Sequence, residues 1–156
     1  MYKKILVPLD GSILAECVLP HVDSIARGCA AESVTFIRVV ELPYLPVTVD
    51  SGYSLTTGDL RKLEDEFKDA AEKYLSRIVN GVKYDGVKVQ SKVVSGKPAE
   101  SIADYAAKNK VDLIIIATHG RSGASRWVWG SVADKLLRSV QVPVLMVRAP
   151  GAKVDI

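Results

Sequence analysis

The sequence predicts an α/β fold: a doubly wound, five-stranded parallel sheet in the order 3-2-1-4-5 with helices on both faces. Three observations carry that prediction. Short β-branched runs alternate with longer segments of helical period, which implies parallel strands joined by crossover helices. The runs "KILVPLD" (4–10) and "VDLIIIA" (111–117) are almost continuously apolar, as strands covered on both faces must be. Right-handed crossovers leave few topologies, and this order is the simplest doubly wound one for five strands.

The elements follow in chain order. The first strand ends at Pro8 and Asp10, and Gly11-Ser12 gives a turn with Ser12 as the expected helix cap. Leu14, Val18, Val22, Ile25 and Ala26 place a helix over 13–28, with a kink at Pro20. "SVTFIRVV" (33–40) is the second strand. Residues 41–58 carry two prolines and two glycines without a period and read as a long loop. From Asp59, the apolar positions Leu60, Leu63, Phe67, Ala70, Tyr74 and Ile78 predict an amphipathic helix of about five turns with a solvated charged face. "VKVQSKVV" (87–94) alternates and belongs near a sheet edge. Pro98 suits the first turn of the helix carrying Ala99, Ile102, Ala103 and Ala106. After the apolar strand 111–117 come a glycine-bearing loop and a helix through Val132, Ala133, Leu136, Leu137 and Val140. "VPVLMVR" (142–148) is the last strand.

The 156 residues favour one domain, 1–149, followed by a loosely ordered tail, 150–156. Apolar residues at 48% and charged residues at 25% are an ordinary globular composition. A net charge of +3, without a dense basic block, argues against nucleic acid as the main partner. No apolar run approaches the ~20 residues of a membrane span. The N-terminus turns directly into a strand pattern, so a cytoplasmic location is expected. Cys17 and Cys29 are expected to be reduced core thiols, because twelve residues of helix would hold them about 18 Å apart.

A doubly wound sheet places its ligand crevice at the carboxyl ends of the strands where the winding reverses, here strands 1 and 4. The segments leaving them are "PLDGS" and "ATHGRSG". Gly120 follows the fourth strand closely, and Gly130-Ser131 opens the next helix. Glycines let backbone amides approach an anion, and a helix N-terminus adds partial positive charge. Ser131 is expected both to cap that helix and to donate its hydroxyl to a phosphate, while Arg121 and Arg126 supply charge. Neither a Walker A loop nor a G-x-G-x-x-G fingerprint is present. The alternative reading of this loop is a glycine-eased turn with a solvated basic face.

The runs "KKILVPLDGS", "GKPAESIADYA", "DLIIIATHGRSG" and "GSVADKLLRSVQVPVLMVR" together resemble the universal stress protein family, single-domain type, over nearly the whole chain. That resemblance implies a Rossmann-like fold of the adenine nucleotide alpha hydrolase kind. The family's ATP-binding branch carries Gly-x2-Gly-x9-Gly-Ser/Thr after the fourth strand. Gly120, Gly130 and Ser131 match it, and Ala117 stands in place of the first glycine. Carried over singly, Pro8 and Asp10 border the adenosine, Val39 lines the adenine pocket, and Ile116 and Val132 flank the motif. The resemblance thus implies nucleotide contacts at Pro8, Asp10, Val39, Ile116, Ala117, Gly120, Arg121, Gly130, Ser131 and Val132, with ATP and Mg²⁺ as the ligand.

Other polar residues read more plainly. His119 is taken as a turn-stabilising imidazole, His21 as a surface histidine, and Ser122 and Ser125 as loop serines. Trp127 or Trp129 is placed over the crevice or at a dimer edge. No catalytic set and no metal cluster is recognisable in the sequence. The first functional reading is a nucleotide-binding stress-response switch or sensor in a homodimer, with a downstream partner the sequence does not name. The second is a dimeric interaction module without nucleotide, for which Ala117 speaks; the third is a slow ATP hydrolase. Strand 142–148 is an apolar edge lacking guarding charges, so Val144, Leu145, Met146 and Val147 are expected at or near the dimer interface.

Overall fold

The computed structural model describes residues 1–41, 57–118 and 130–149. Five strands, β1 (Lys4–Pro8), β2 (Ser33–Val40), β3 (Lys88–Ser95), β4 (Leu113–Ala117) and β5 (Val144–Val147), form a sheet in the order β3-β2-β1-β4-β5. All four pairings are parallel. The expected topology is thus the observed one. The winding reverses between β1 and β4, since β1 leads to β2 on one side and β4 to β5 on the other.

Among the described residues, four α-helices connect the strands: α1 (Leu19–Gly28), α2 (Thr57–Gly81), α3 (Pro98–Asn109) and α4 (Ser131–Ser139). Strand alternation sorts the side chains into two cores. Ile5, Val7, Val34, Phe36, Leu113 and Ile115 pack with Val22, Ala26, Leu75 and Ile78 on the α1 and α2 face. Leu6, Ile37, Ile114 and Ile116 pack with Ile102, Ala106, Ala133 and Leu136 on the α3 and α4 face. Burial of each large side chain, such as the fully enclosed Phe36 and Leu6, contributes roughly 1.5–3 kcal/mol.

Several sequence expectations are corrected. The first helical segment is not one helix kinked at Pro20. A 3₁₀ turn (Ala15–Val18) precedes α1, and Pro20 lies in the first turn of α1. A proline fits there because its missing N–H would have no intrahelical partner anyway. Helix α2 runs 25 residues, longer than expected, and only its later part meets the core. Ala71, Leu75 and Ile78 are buried, whereas Ala70 is exposed and Leu60 and Phe67 are each 42% exposed. Glu64 already bonds to Ser95, the last residue of β3, so the turns before it stand beyond the sheet's end.

Cys17 and Cys29 are free thiols, each half-buried rather than enclosed in the core as expected, and burial pushes the Cys17 thiol up. His21 is exposed. β3 is an edge strand with exposed Lys88 and Lys92, the kind of charge that discourages unwanted pairing. β5 is the opposite edge. Its side chains are divided between the cores, Leu145 and Val147 toward one and Val144 and Met146 toward the other. Among the described residues, no helix is long and apolar enough to cross a membrane. The expected loop falls largely outside the described residues, at 42–56, as does the expected tail, 150–156.

Candidate functional site

The reversal point holds a cleft of about 240 Å³. Its floor comes from the ends of three neighbouring strands: Pro8 at the end of β1 and Leu9 just after it, Ile37 and Val39 on β2, and Ile116 and Ala117 on β4. Pairing continues past β1, where the Leu9 N–H donates to the Ile37 carbonyl at 2.9 Å, so the floor is braced to its rim. Pro98 and Ile102 of α3 close one side, and Ser131, Val132 and Ala133 of α4 close another. The lining is mostly apolar with a few polar groups at the rim, the pattern of a small-ligand site.

Asp10 occupies one rim. Its Oδ1 accepts from the Ser12 N–H at 2.9 Å and from the Ser12 hydroxyl at 2.6 Å. The Ser12 Oγ in turn accepts from the Ala15 N–H at 3.2 Å and so holds the turn that follows. The expected Ser12 helix cap is corrected, because the cap positions of the 3₁₀ turn and of α1 fall at Leu14 and Val18, neither with a side-chain cap. Asp10 therefore has a structural role here whatever else it touches.

The start of α4 forms the opposite rim. The cap residue is Gly130, with φ −42° and ψ 136°, and Ser131 is the first helical residue. The expected Ser131 side-chain cap is thus corrected: a hydroxyl at the first helical position lies past the residue whose side chain can reach back onto the N–H groups. No side chain caps this helix among the described residues. The Gly130 N–H donates to the Thr118 carbonyl at 2.7 Å, and the Thr118 N–H donates to the Val147 carbonyl at 2.9 Å. These bonds tie the α4 start to β4 and to the edge strand. The first helical bond runs from the Asp134 N–H to the Gly130 carbonyl at 3.0 Å. Ser131, Val132 and Ala133, whose N–H groups precede that bond, all line the cleft.

Eight of the ten sequence-selected residues are brought together here: Pro8, Asp10, Val39, Ile116, Ala117, Gly130, Ser131 and Val132. Gly120 and Arg121 lie outside the described residues, as do His119, Ser122, Ser125, Arg126, Trp127 and Trp129. The side chain of Ala117 packs with the α1 and α2 core, while the preceding Ile116 belongs to the opposite core. The methyl that replaces the motif's first glycine is thus accommodated by the fold. Seven lining residues were missed by sequence reasoning, Ala15, Pro98, Ile102 and Thr118 among them. For Pro98 a signal existed: every helix that follows a strand starts at the carboxyl end of the sheet, where the crevice lies. Among the described residues, no group of three or more His, Cys, Asp or Glu side chains is placed to hold a metal.

Comparison with known proteins adds family information. Residues 1–148 match the model of the universal stress protein family. Universal stress protein MJ0531 of Methanocaldococcus jannaschii is 29% identical over 150 residues, covering 96% of this chain and 84% of the relative. MJ0577 of the same organism is 30% identical over 156 residues, covering 95% and 96%. Its solved structure superposes with a TM-score of 0.80, covering 97% of this chain and 99% of that one. An Arabidopsis thaliana protein of the family, solved with AMP bound, shares the fold at 15% identity and a TM-score of 0.65, covering 96% and 93%.

Proposed function

The chain belongs to the universal stress protein family, and on that premise we propose that it binds ATP with Mg²⁺ in the β1–β4 cleft. It acts, in this reading, as a nucleotide-dependent switch or sensor of the stress response, as a cytoplasmic homodimer. One observation carries the reading. The apolar floor of Pro8, Ile37, Val39 and Ile116 leads directly to the start of α4, which no side chain caps among the described residues. A flat base suits such a floor, and a phosphate suits three forward-pointing amides reinforced by the helix dipole. The Arabidopsis relative with AMP bound supports the ligand class.

Magnesium would arrive mainly on the phosphates. Mg²⁺ keeps several waters and takes one or two carboxylates besides phosphate oxygens. Asp10 is the carboxylate on the described part of the cleft, and the residues present fit that arrangement. The bound metal would neutralise phosphate charge; the chain's own part is to hold the base, orient the phosphates and present amides.

The homodimer is supported by β5, an edge of four apolar residues. Its side chains serve the protomer's own cores, so pairing would use its outer backbone edge. The reading without nucleotide draws on Ala117, and the packing of its methyl into the core removes much of that support. The test is mass spectrometry of nucleotide retained on the purified protein, with melting temperatures in ATP–Mg²⁺, AMP and buffer. ATP–Mg²⁺ at 100 times its dissociation constant would add about 2.7 kcal/mol of stability; no shift and no retained nucleotide would refute the proposal. Light scattering at micromolar concentration would read about twice 16.9 kDa for a dimer, and a monodisperse monomer would refute that part.

A further inference from the structure

The Asp10 wall of the cleft is braced from the other face of the sheet. Arg38 on β2 lies between Ile37 and Val39, so its side chain emerges on the α1 and α2 face. Its guanidinium lies against Gly11: a Cβ at that glycine would stand 2.9 Å from each of Cζ, Nη1 and Nη2. Equal distances to the three atoms put that position over the face of the guanidinium plane. Gly11 has φ +86°, a conformation that favours glycine. The Arg38 Cζ is also 5.2 Å from the centroid of the Tyr74 ring on α2. The same ring lies 5.2 Å from the Cζ of Arg77, whose Nη2 donates to Glu16 Oε1 at 2.6 Å.

The segment from Gly11 to Glu16 is therefore tied at both ends to one tyrosine. Ala15 lies within this stretch and Asp10 immediately precedes it, and both line the cleft. Burial, and then the Glu16 carboxylate, push the Tyr74 phenol well above its ordinary range, so the ring between the two cations stays neutral. A planar guanidinium can lie flat on a peptide and a ring, which a compact ammonium cannot.

We propose that Arg38 is a positioning residue of the nucleotide site, its guanidinium plane setting the Asp10–Ser12 turn from behind while Tyr74 holds the guanidinium. The role in affinity rests on the nucleotide reading above; the hold on the turn does not. The test uses the full chain with Arg38→Ala, Arg38→Lys and Tyr74→Phe, following amide exchange without nucleotide and then ATP–Mg²⁺ affinity by calorimetry. The Ser12 N–H, which donates to Asp10, is expected to exchange about tenfold faster in both Arg38 variants, and affinity to fall about tenfold. Amides of the β1–β2 ladder should keep wild-type protection, showing that the fold is intact. Tyr74→Phe keeps the ring and should match wild type in both readings. Unchanged Ser12 exchange in a folded Arg38→Lys protein would overturn the proposal, as would faster exchange with wild-type affinity. If wild type itself does not bind ATP–Mg²⁺, the nucleotide reading fails, and Ser12 exchange alone decides whether Arg38 sets the turn.

Discussion

On one side of the cleft, Asp10 accepts from Ser12 and Ser12 accepts from Ala15, at 2.9 and 3.2 Å between the heavy atoms. On the other, α4 opens at Gly130 with no side-chain cap among the described residues. Both walls are helix starts at the carboxyl end of the sheet, so topology alone does not distinguish them. Local sequence does. Asp-Gly-Ser supplies acceptors for its own amides, whereas Gly130 has no side chain to offer. The turn whose first amides are taken up by its own side chains is the structural wall, and the α4 start, with no side-chain cap among the described residues, is the wall proposed for the ligand.

The hardest way to break that contrast is Gly130→Val. A branched side chain there would fill the space a phosphate needs and screen the amides behind it. ATP–Mg²⁺ affinity should fall at least about 100-fold, equivalent to roughly 2.7 kcal/mol, with the fold retained by circular dichroism. Wild-type affinity in the folded variant would remove the binding wall. Ser12→Ala probes the other side. Losing its acceptor should cost about 1 kcal/mol of stability, read by denaturant unfolding. Its effect on affinity should not exceed the roughly tenfold expected of the Arg38 variants, which loosen the same turn; a loss equal to that of Gly130→Val would erase the difference between the walls.

Ala117→Gly sharpens the comparison from the floor. Its methyl belongs to the far core, so restoring glycine should keep or raise affinity, with a change within about threefold, and should cost up to about 1 kcal/mol of stability for the flexibility gained in a strand. A clear loss of affinity would mean that Ala117 belongs to a different pocket arrangement. The smallest effect lies away from both walls. A hydrogen bond and charge from Lys68, and then a hydrogen bond from Ser95, hold Glu64 below its ordinary 4.5. A carboxyl whose folded pKa is depressed stabilises above its unfolded pKa and loses that contribution as pH falls through the folded one. The difference in melting temperature between wild type and Glu64→Gln should therefore be slight at neutral pH and shrink below about pH 4.5. A difference that grows on acidification would contradict the pairing.

The fold was legible because its strands carry their burial in composition: "LIIIA" fits only an enclosed strand, and Lys88 and Lys92 mark an edge. The site was legible to the extent that topology places it, since the reversal between β1 and β4 follows from strand order alone. The misreadings arose where periodicity does not distinguish neighbouring geometries. A 3₁₀ turn followed by a helix has nearly the same apolar spacing as one helix, so Pro20 looked internal. The spacing of Leu60 and Phe67 shows amphipathicity but not how far the sheet reaches beneath it. The packing of Arg38 against Gly11 joins residues 27 positions apart, and no local pattern announces it.

The central claim is that the uncapped amides of α4 receive the phosphates while the Asp10 wall keeps its own bonds. Titrating the isotope-labelled protein with ATP–Mg²⁺ and following backbone amide shifts tests it directly. The account predicts the largest shifts at Ser131, Val132 and Ala133, with the Ser12 and Ala15 amides still protected from exchange. Saturable binding that leaves the 131–133 amides unmoved would contradict it.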